Sequence, residues 1–202
     1  MSLLRLARLM VRRHRLMITS WLVLLIALSG ATVSAYQSTY ATPEQRRAAT
    51  ELAQHNAASN LLYGRLADPG TPAQMFGWEI GAFVTILAAV MAVLVATALT
   101  RATEDDGTLE LERSCGIDPR VPLRAACTVL LIVAATLALG CAVALGLSVG
   151  HVDAVTWPGA VAFGAVVGLT FLVTGVLTVV LAQVAPTAAG TRVLGFAAER
   201  PY

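Results

Sequence analysis

Few side chains in this chain have the type and setting to do chemistry, and Glu79 is the first of them. It is the one acidic residue that falls inside a long apolar run. A carboxylate at mid-membrane costs about 2.5–3.5 kcal/mol and usually marks a proton or substrate path. Glu79 lies only a couple of residues from the outer end of its run, beside Trp78, where that cost is much smaller. Interfacial anchoring is therefore favoured over substrate or proton handling. Gly146-Leu147-Ser148-Val149-Gly150 matches GxSxG in form, with His151 next. A nucleophile elbow needs a strand-to-helix turn in an α/β sheet, whereas this motif closes an apolar helix. An intramembrane serine protease needs a His on a second span, and His14, His55 and His151 all fall outside the spans. Cys115, Cys127 and Cys141 show no metal-ligand spacing and read as small apolar residues plus one loop thiol. All fourteen basic residues are arginine. Without lysine there is no Walker phosphate loop, no Schiff base and no Ser–Lys dyad. The chain is not expected to be an enzyme, to hold a metal or cofactor, or to bind nucleic acid. If ATP drives it, another chain hydrolyses that ATP.

The remaining chemistry is concentrated between Arg101 and Arg124, in RATEDDGTLELERSCGIDPRVPLR. This segment holds six of the twelve acidic residues and four of the fourteen arginines. Thr100 or Thr103 can cap a short helix whose first turn carries Glu104, Asp105 and Asp106, the sign that the helix dipole favours. Leu109 and Leu111 offer apolar contacts, while Glu110, Glu112 and Arg113 offer charged ones. Gly116 and Asp118-Pro119 end the segment before Arg124 anchors the next span. A short charged helix with a few leucines suits docking into a partner's groove. Composition alone fits an ordinary solvated loop as well.

The elements around these residues are membrane-like. The chain is 57% hydrophobic and 13% charged, against about 25% charged residues in soluble domains. Four stretches, Leu16–Tyr36, Gly77–Leu99, Ala125–Val149 and Gly159–Ala185, are long enough to cross a hydrocarbon core, which takes about 20 residues. The expected fold class is all-α, a polytopic membrane protein with about four transmembrane helices. Arg5, Arg8, Arg12, Arg13 and Arg15 precede the first span and mark a cytoplasmic flank. Four spans then return residues 100–124 to the cytoplasm, leave residues 37–76 outside and put both termini inside. Val33–Ala35 (VSA) after a basic, apolar start also resembles a signal-peptide cleavage site. The length of the apolar run and of its basic prelude favours a retained anchor.

Outside the spans, Leu3, Leu6, Leu9 and Met10 share one helical face within residues 1–15, with Arg5, Arg8 and Arg12 mostly on the other. That suits either an amphipathic helix at the lipid surface or a simple topogenic flank. Thr42-Pro43-Glu44-Gln45 has the form of a capping box, and helical composition runs from there to Tyr63, where Gly64 can close it. One external helix of about twenty residues is expected, followed by a turn at Asp68–Pro72. It reads more readily as a passive cap than as a substrate gate. Rows of small residues (Gly77 and Gly81; Ala134, Ala138, Ala142 and Gly146; Ala160, Gly164 and Gly168) are of the kind that lets membrane helices pack closely.

The segment RATEDDGTLELERSCGIDPRVPLRAA resembles the cytoplasmic loop of actinobacterial ABC exporter permeases of the polyketide-antibiotic and tetronasin type. Arg101, Glu104, Asp105, Gly107, Glu110, Leu111, Arg113 and Arg120 match the family's pattern, and Leu61–Gly64 (LLYG), Trp78 and Gly81 resemble its external segment. The resemblance implies a multi-pass permease subunit in the bacterial cell membrane that exports hydrophobic compounds. It implies that this loop couples to a separate ATPase subunit, and that the chain pairs with a second permease half in contact with membrane lipid. Family members run to roughly twice this length or more, and GTRVLGFAAERPY, within the tail 186–202, does not continue their pattern. A truncated or split permease is therefore expected. A non-transporting membrane scaffold, a regulatory subunit or an inactive permease fragment is the alternative.

Overall fold

A computed structural model of the protein describes residues 3–100 and 120–184. All the regular structure among these residues is helical: α1 (Leu3–Arg13), α2 (Arg15–Ala31), α3 (Val33–Thr39), α4 (Pro43–His55), α5 (Ala57–Tyr63), α6 (Pro72–Leu99), α7 (Arg120–Gly146) and α8 (Trp157–Val184). Four stretches are long and apolar enough to cross a membrane: Arg15–Thr39, Pro72–Leu99, Val121–Gly146 and Trp157–Ala182. At 1.5 Å per residue even the shortest reaches about 37 Å, more than a hydrocarbon core. Large side chains such as Val23, Leu139, Val161 and Leu169 remain exposed along them. Such a surface suits lipid and not water. The protein is an all-α, multi-pass membrane protein.

Several boundaries differ from those read in the sequence. The second span starts at Pro72, not Gly77, because Thr71 and Gln74 form a capping box: Gln74 N–H donates to Thr71 Oγ1 (3.2 Å) and Thr71 N–H to Gln74 Oε1 (2.8 Å). The third span starts at Arg120, so residues 120–124 belong to α7 and not to a loop. The expected helix of about twenty residues is two helices. Thr42 and Gln45 cap α4 reciprocally with Pro43 in the first turn, but Asn56 interrupts the run. Its side chain accepts from the amides of Ala58 (3.0 Å) and Ser59 (3.2 Å) and so starts α5. Gly64, at φ +76°, closes α5 as expected.

The chain divides into two compact units. One comprises residues 21–88 and 135–170. Here α7 packs closely on both α2 and α8. A Cβ at Gly140 would lie 2.3 Å from Ile26, and one at Gly164 would lie 2.3 Å from the Ala138 carbonyl oxygen and 2.8 Å from the Ala142 methyl. The small-residue rows of the third and fourth spans thus meet. The Gly77–Gly81 pair is used only in part: a Cβ at Gly81 would lie 3.5 Å from the Phe163 ring, whereas none of the described residues comes within 4 Å of one at Gly77. Phe76 is buried against Phe163 (ring centroids 5.6 Å apart), in a cluster with Val33, Leu145, Val152, Val155 and Ala160.

The other unit contains, among the described residues, 3–20, 89–100, 120–134 and 171–184. Its core is mostly aliphatic around one aromatic ring: Met91, Val95, Leu99, Val129, Leu130 and Phe171 are all buried. A Cβ at Gly175 would lie 3.4 Å from Leu130 and 3.8 Å from Ala92. In α1, Leu6, Ala7 and Met10 are buried, whereas Leu9, expected on the same face, is exposed together with Leu4.

Candidate functional site

The described residues bring polar and aromatic chemistry together at one place, around Glu79. The Thr71–Gln74 cap sets the start of α6, which puts Trp78 and Glu79 in its second turn. Trp78 Nε1–H donates to the Gly64 carbonyl (2.6 Å), and Tyr63 meets the Trp78 ring edge-on at 5.1 Å. The end of α5 is thereby fastened to α6. From α3, Tyr36 donates its hydroxyl hydrogen to Glu79 Oε2 at 2.7 Å, within the short range of hydroxyl–carboxylate bonds. Tyr36 also packs edge-on against Phe76 (6.2 Å, 84°) and lies 6.1 Å from the Tyr40 ring.

These groups line an open cleft of about 210 Å³. Glu79, Tyr36, Tyr40 and Trp78 supply its polar edge and aromatic faces, and Leu52 and Met75 supply apolar wall. Among the described residues no guanidinium lies within ion-pair distance of Glu79; the ion pair formed there is Arg46–Asp153. The geometry gives Glu79 a specific partner, Tyr36, and a place on a cavity wall.

Arg46 positions one wall of the cleft. Its Nε–H donates to the Tyr40 carbonyl (2.8 Å) and its Nη2 to Asp153 Oδ2 (2.8 Å). Gln37 Oε1 accepts from the Asp153 amide at 2.9 Å. The α7–α8 connection is thus tied to α3 and α4. The Arg46 hydrogen bond, and next the Gln37 side chain, hold the Asp153 carboxyl below the usual carboxylate range. At the arginine-rich start of the chain, partial burial and then the Arg13 charge push His14 below the usual imidazole value.

The other sequence candidates fare differently. Arg101, Glu104, Asp105, Gly107, Glu110, Leu111 and Arg113 of the expected coupling loop lie outside the described residues, as do Cys115 and the tail 186–202. Arg120 is the first residue of α7. Ser148 and His151 share the turn after α7, where the His151 amide donates to the Ser148 carbonyl (3.1 Å). Among the described residues no side-chain bond joins these two, although both line one open cleft. Cys127 is exposed and Cys141 buried, both on α7; Ser29 Oγ–H donates to Cys141 Sγ at 3.5 Å. The Tyr36–Glu79 pair was missed in the sequence, since 43 residues separate its members and no spacing rule links them.

No protein-family model matches the chain. Over 193 residues, 95% of its length, it is 32% identical to a multidrug efflux system permease protein of Mycobacterium tuberculosis, and it spans about a third (34%) of that relative's own length.

Proposed function

We propose that this chain is a membrane-spanning permease segment of an ATP-driven ABC exporter for hydrophobic compounds. In this reading it sits in a bacterial cell membrane, couples to a separate ATPase subunit through residues 101–120, and works with a second permease half. ATP-driven closure of the ATPase pushes on that loop and tilts the second and third spans. The observation that carries the reading is a single collinear similarity to a multidrug efflux permease that takes in nearly the whole chain. Three features add support. Two apolar spans, α6 and α7, flank the segment that holds half of the chain's acidic residues. The absence of lysine means these 202 residues hold no Walker-type phosphate loop of their own, in keeping with an ATP site outside them. The arginine-rich flank before α2 favours a cytoplasmic 101–120 loop, the side on which an ATPase would meet it.

Cross-linking from Cys115 tests this. Cys127→Ala and Cys141→Ala leave Cys115 as the one thiol, and both remove only a small side chain from α7. A cross-linker applied to native membranes should yield an adduct that contains an ATPase with the GxxxxGK[ST] motif, identified by mass spectrometry. An adduct with a soluble protein lacking that motif would replace the exporter with the scaffold reading. Free labelling of Cys115 by a water-soluble reagent, with no adduct, would overturn coupling through this loop.

A further inference from the structure

The geometry points to the Tyr36–Glu79 cleft as a binding site for an organic ammonium-type cation that carries an apolar body. This rests on the permease reading only for what becomes of the ligand afterwards. Three observations carry it. First, Glu79 is the one acidic residue in the four spans, and its carboxylate meets a neutral phenol at 2.7 Å, with no guanidinium within 4.0 Å among the described residues. A phenol satisfies one lone pair and leaves the negative charge uncompensated. Second, Tyr36, Tyr40 and Trp78 line the same cavity, and aromatic faces attract a cation within about 6 Å of the ring centroid. Third, Leu52, Leu66 and Met75 give the wall an apolar part beside the polar Asn56 and Ser59, and that part suits alkyl or aryl substituents.

The size bounds the ligand. At about 210 Å³ the cleft is smaller than the 300–1,000 Å³ of a typical drug pocket. It takes a cationic head and its first ring, and a longer apolar body would leave over Leu52, which is 74% exposed. Trp78 is held at its indole nitrogen by Gly64, and Tyr36 at its hydroxyl by Glu79. Two of the three aromatic walls are therefore fixed before a ligand arrives, which lowers the cost of binding. Two sources offer this chemistry: a free amphiphilic amine, and the choline head group of a phospholipid.

Binding is measured on the purified full chain in neutral dodecyl maltoside micelles, by isothermal titration with benzyltrimethylammonium and with uncharged N,N-dimethylbenzamide. Saturable binding of the cation is expected, with the amide and the Glu79→Gln variant each weaker by about tenfold or more, since an uncompensated charge near a protein surface acts at low effective dielectric. Gln retains an acceptor for the Tyr36 hydroxyl, so the cleft keeps its shape. If Glu79→Gln does not fold, Leu52→Trp, which fills the open side from an exposed position, should block the cation in its place. Equal affinity for cation and amide, cation binding that neither variant weakens, or no saturable binding would overturn the proposal. Competition by diheptanoyl-phosphatidylcholine would assign the site to a lipid head group, and its failure to compete would assign it to a free amine. Neither ATP nor a partner enters the measurement, so its failure leaves the Cys115 test of coupling untouched, and the reverse holds.

Discussion

Glu79 and Asp153 are both carboxylates of the same unit, and neighbouring residues of α3 serve them: Tyr36 donates to Glu79, and Gln37 accepts from the Asp153 amide. Their surroundings differ in one respect that matters. Asp153 has a guanidinium at 2.8 Å, so its charge is spent on holding the α7–α8 connection against α4. Glu79 has a neutral hydroxyl at the same range, together with a cavity and three aromatic rings. A carboxylate neutralised by an arginine is a structural tie, and one left with its charge beside a cavity is available to a ligand.

The largest effect comes from spoiling the helix packing in this unit. Gly164→Val forces side-chain carbon into the Ala138 carbonyl and the Ala142 methyl, already 2.3 and 2.8 Å from a bare Cβ. Overpacking of this kind costs about 1–3 kcal/mol. Melting in detergent should drop accordingly, and the Gly77→Val change, at a site with nothing within 4 Å, should not reproduce it.

Arg46→Ala breaks the tie on the Asp153 side. Loss of the bond from its Nε–H to the Tyr40 carbonyl alone should lower stability by about 1 kcal/mol. The Asp153 contribution is separable by pH. Its folded value is lowered, so the stabilisation is fully present above the unfolded Asp value of about 3.9 and is lost as pH falls through the folded value. The gap in melting temperature between wild type and Arg46→Ala should therefore narrow only below about pH 4. A gap that narrows between pH 5 and 7 would mean that another group carries it.

The sequence revealed the class of fold more fully than its joints. Four apolar runs set the spans because a hydrocarbon core demands a length that few other features mimic. Thr42-Pro43-Glu44-Gln45 was read as a cap, but the same arrangement in Thr71-Pro72-Ala73-Gln74 was absorbed into the turn signal of Asp68-Pro69-Gly70 just before it. That moved α6 by five residues. Asn56 sat unremarked in a helical composition, although a short polar side chain competes for nearby amides and breaks a helix where it can cap the next. Small-residue rows identified Gly164 correctly and Gly77 wrongly, since a pattern along one helix does not say whether a second helix approaches it. Glu79 was singled out from its charge in an apolar run. Its partner Tyr36 comes from a different helix, and pairing across helices leaves no local trace.

The smallest expected effect sharpens the comparison most. Glu79→Gln keeps an acceptor for the Tyr36 hydroxyl on an exposed side chain, so stability should stay within about 0.5 kcal/mol of wild type. Asp153→Asn also keeps an acceptor, but it removes the charge that Arg46 faces at 2.8 Å. Its melting temperature should fall further than that of Glu79→Gln at pH 7, and the two variants should converge below about pH 4, where the wild-type Asp153 is itself losing its charge. If Glu79→Gln proves the more destabilising of the two, Glu79 is a structural anchor like Asp153. The contrast between the acids then fails, and with it the reason to look for a ligand at the cleft.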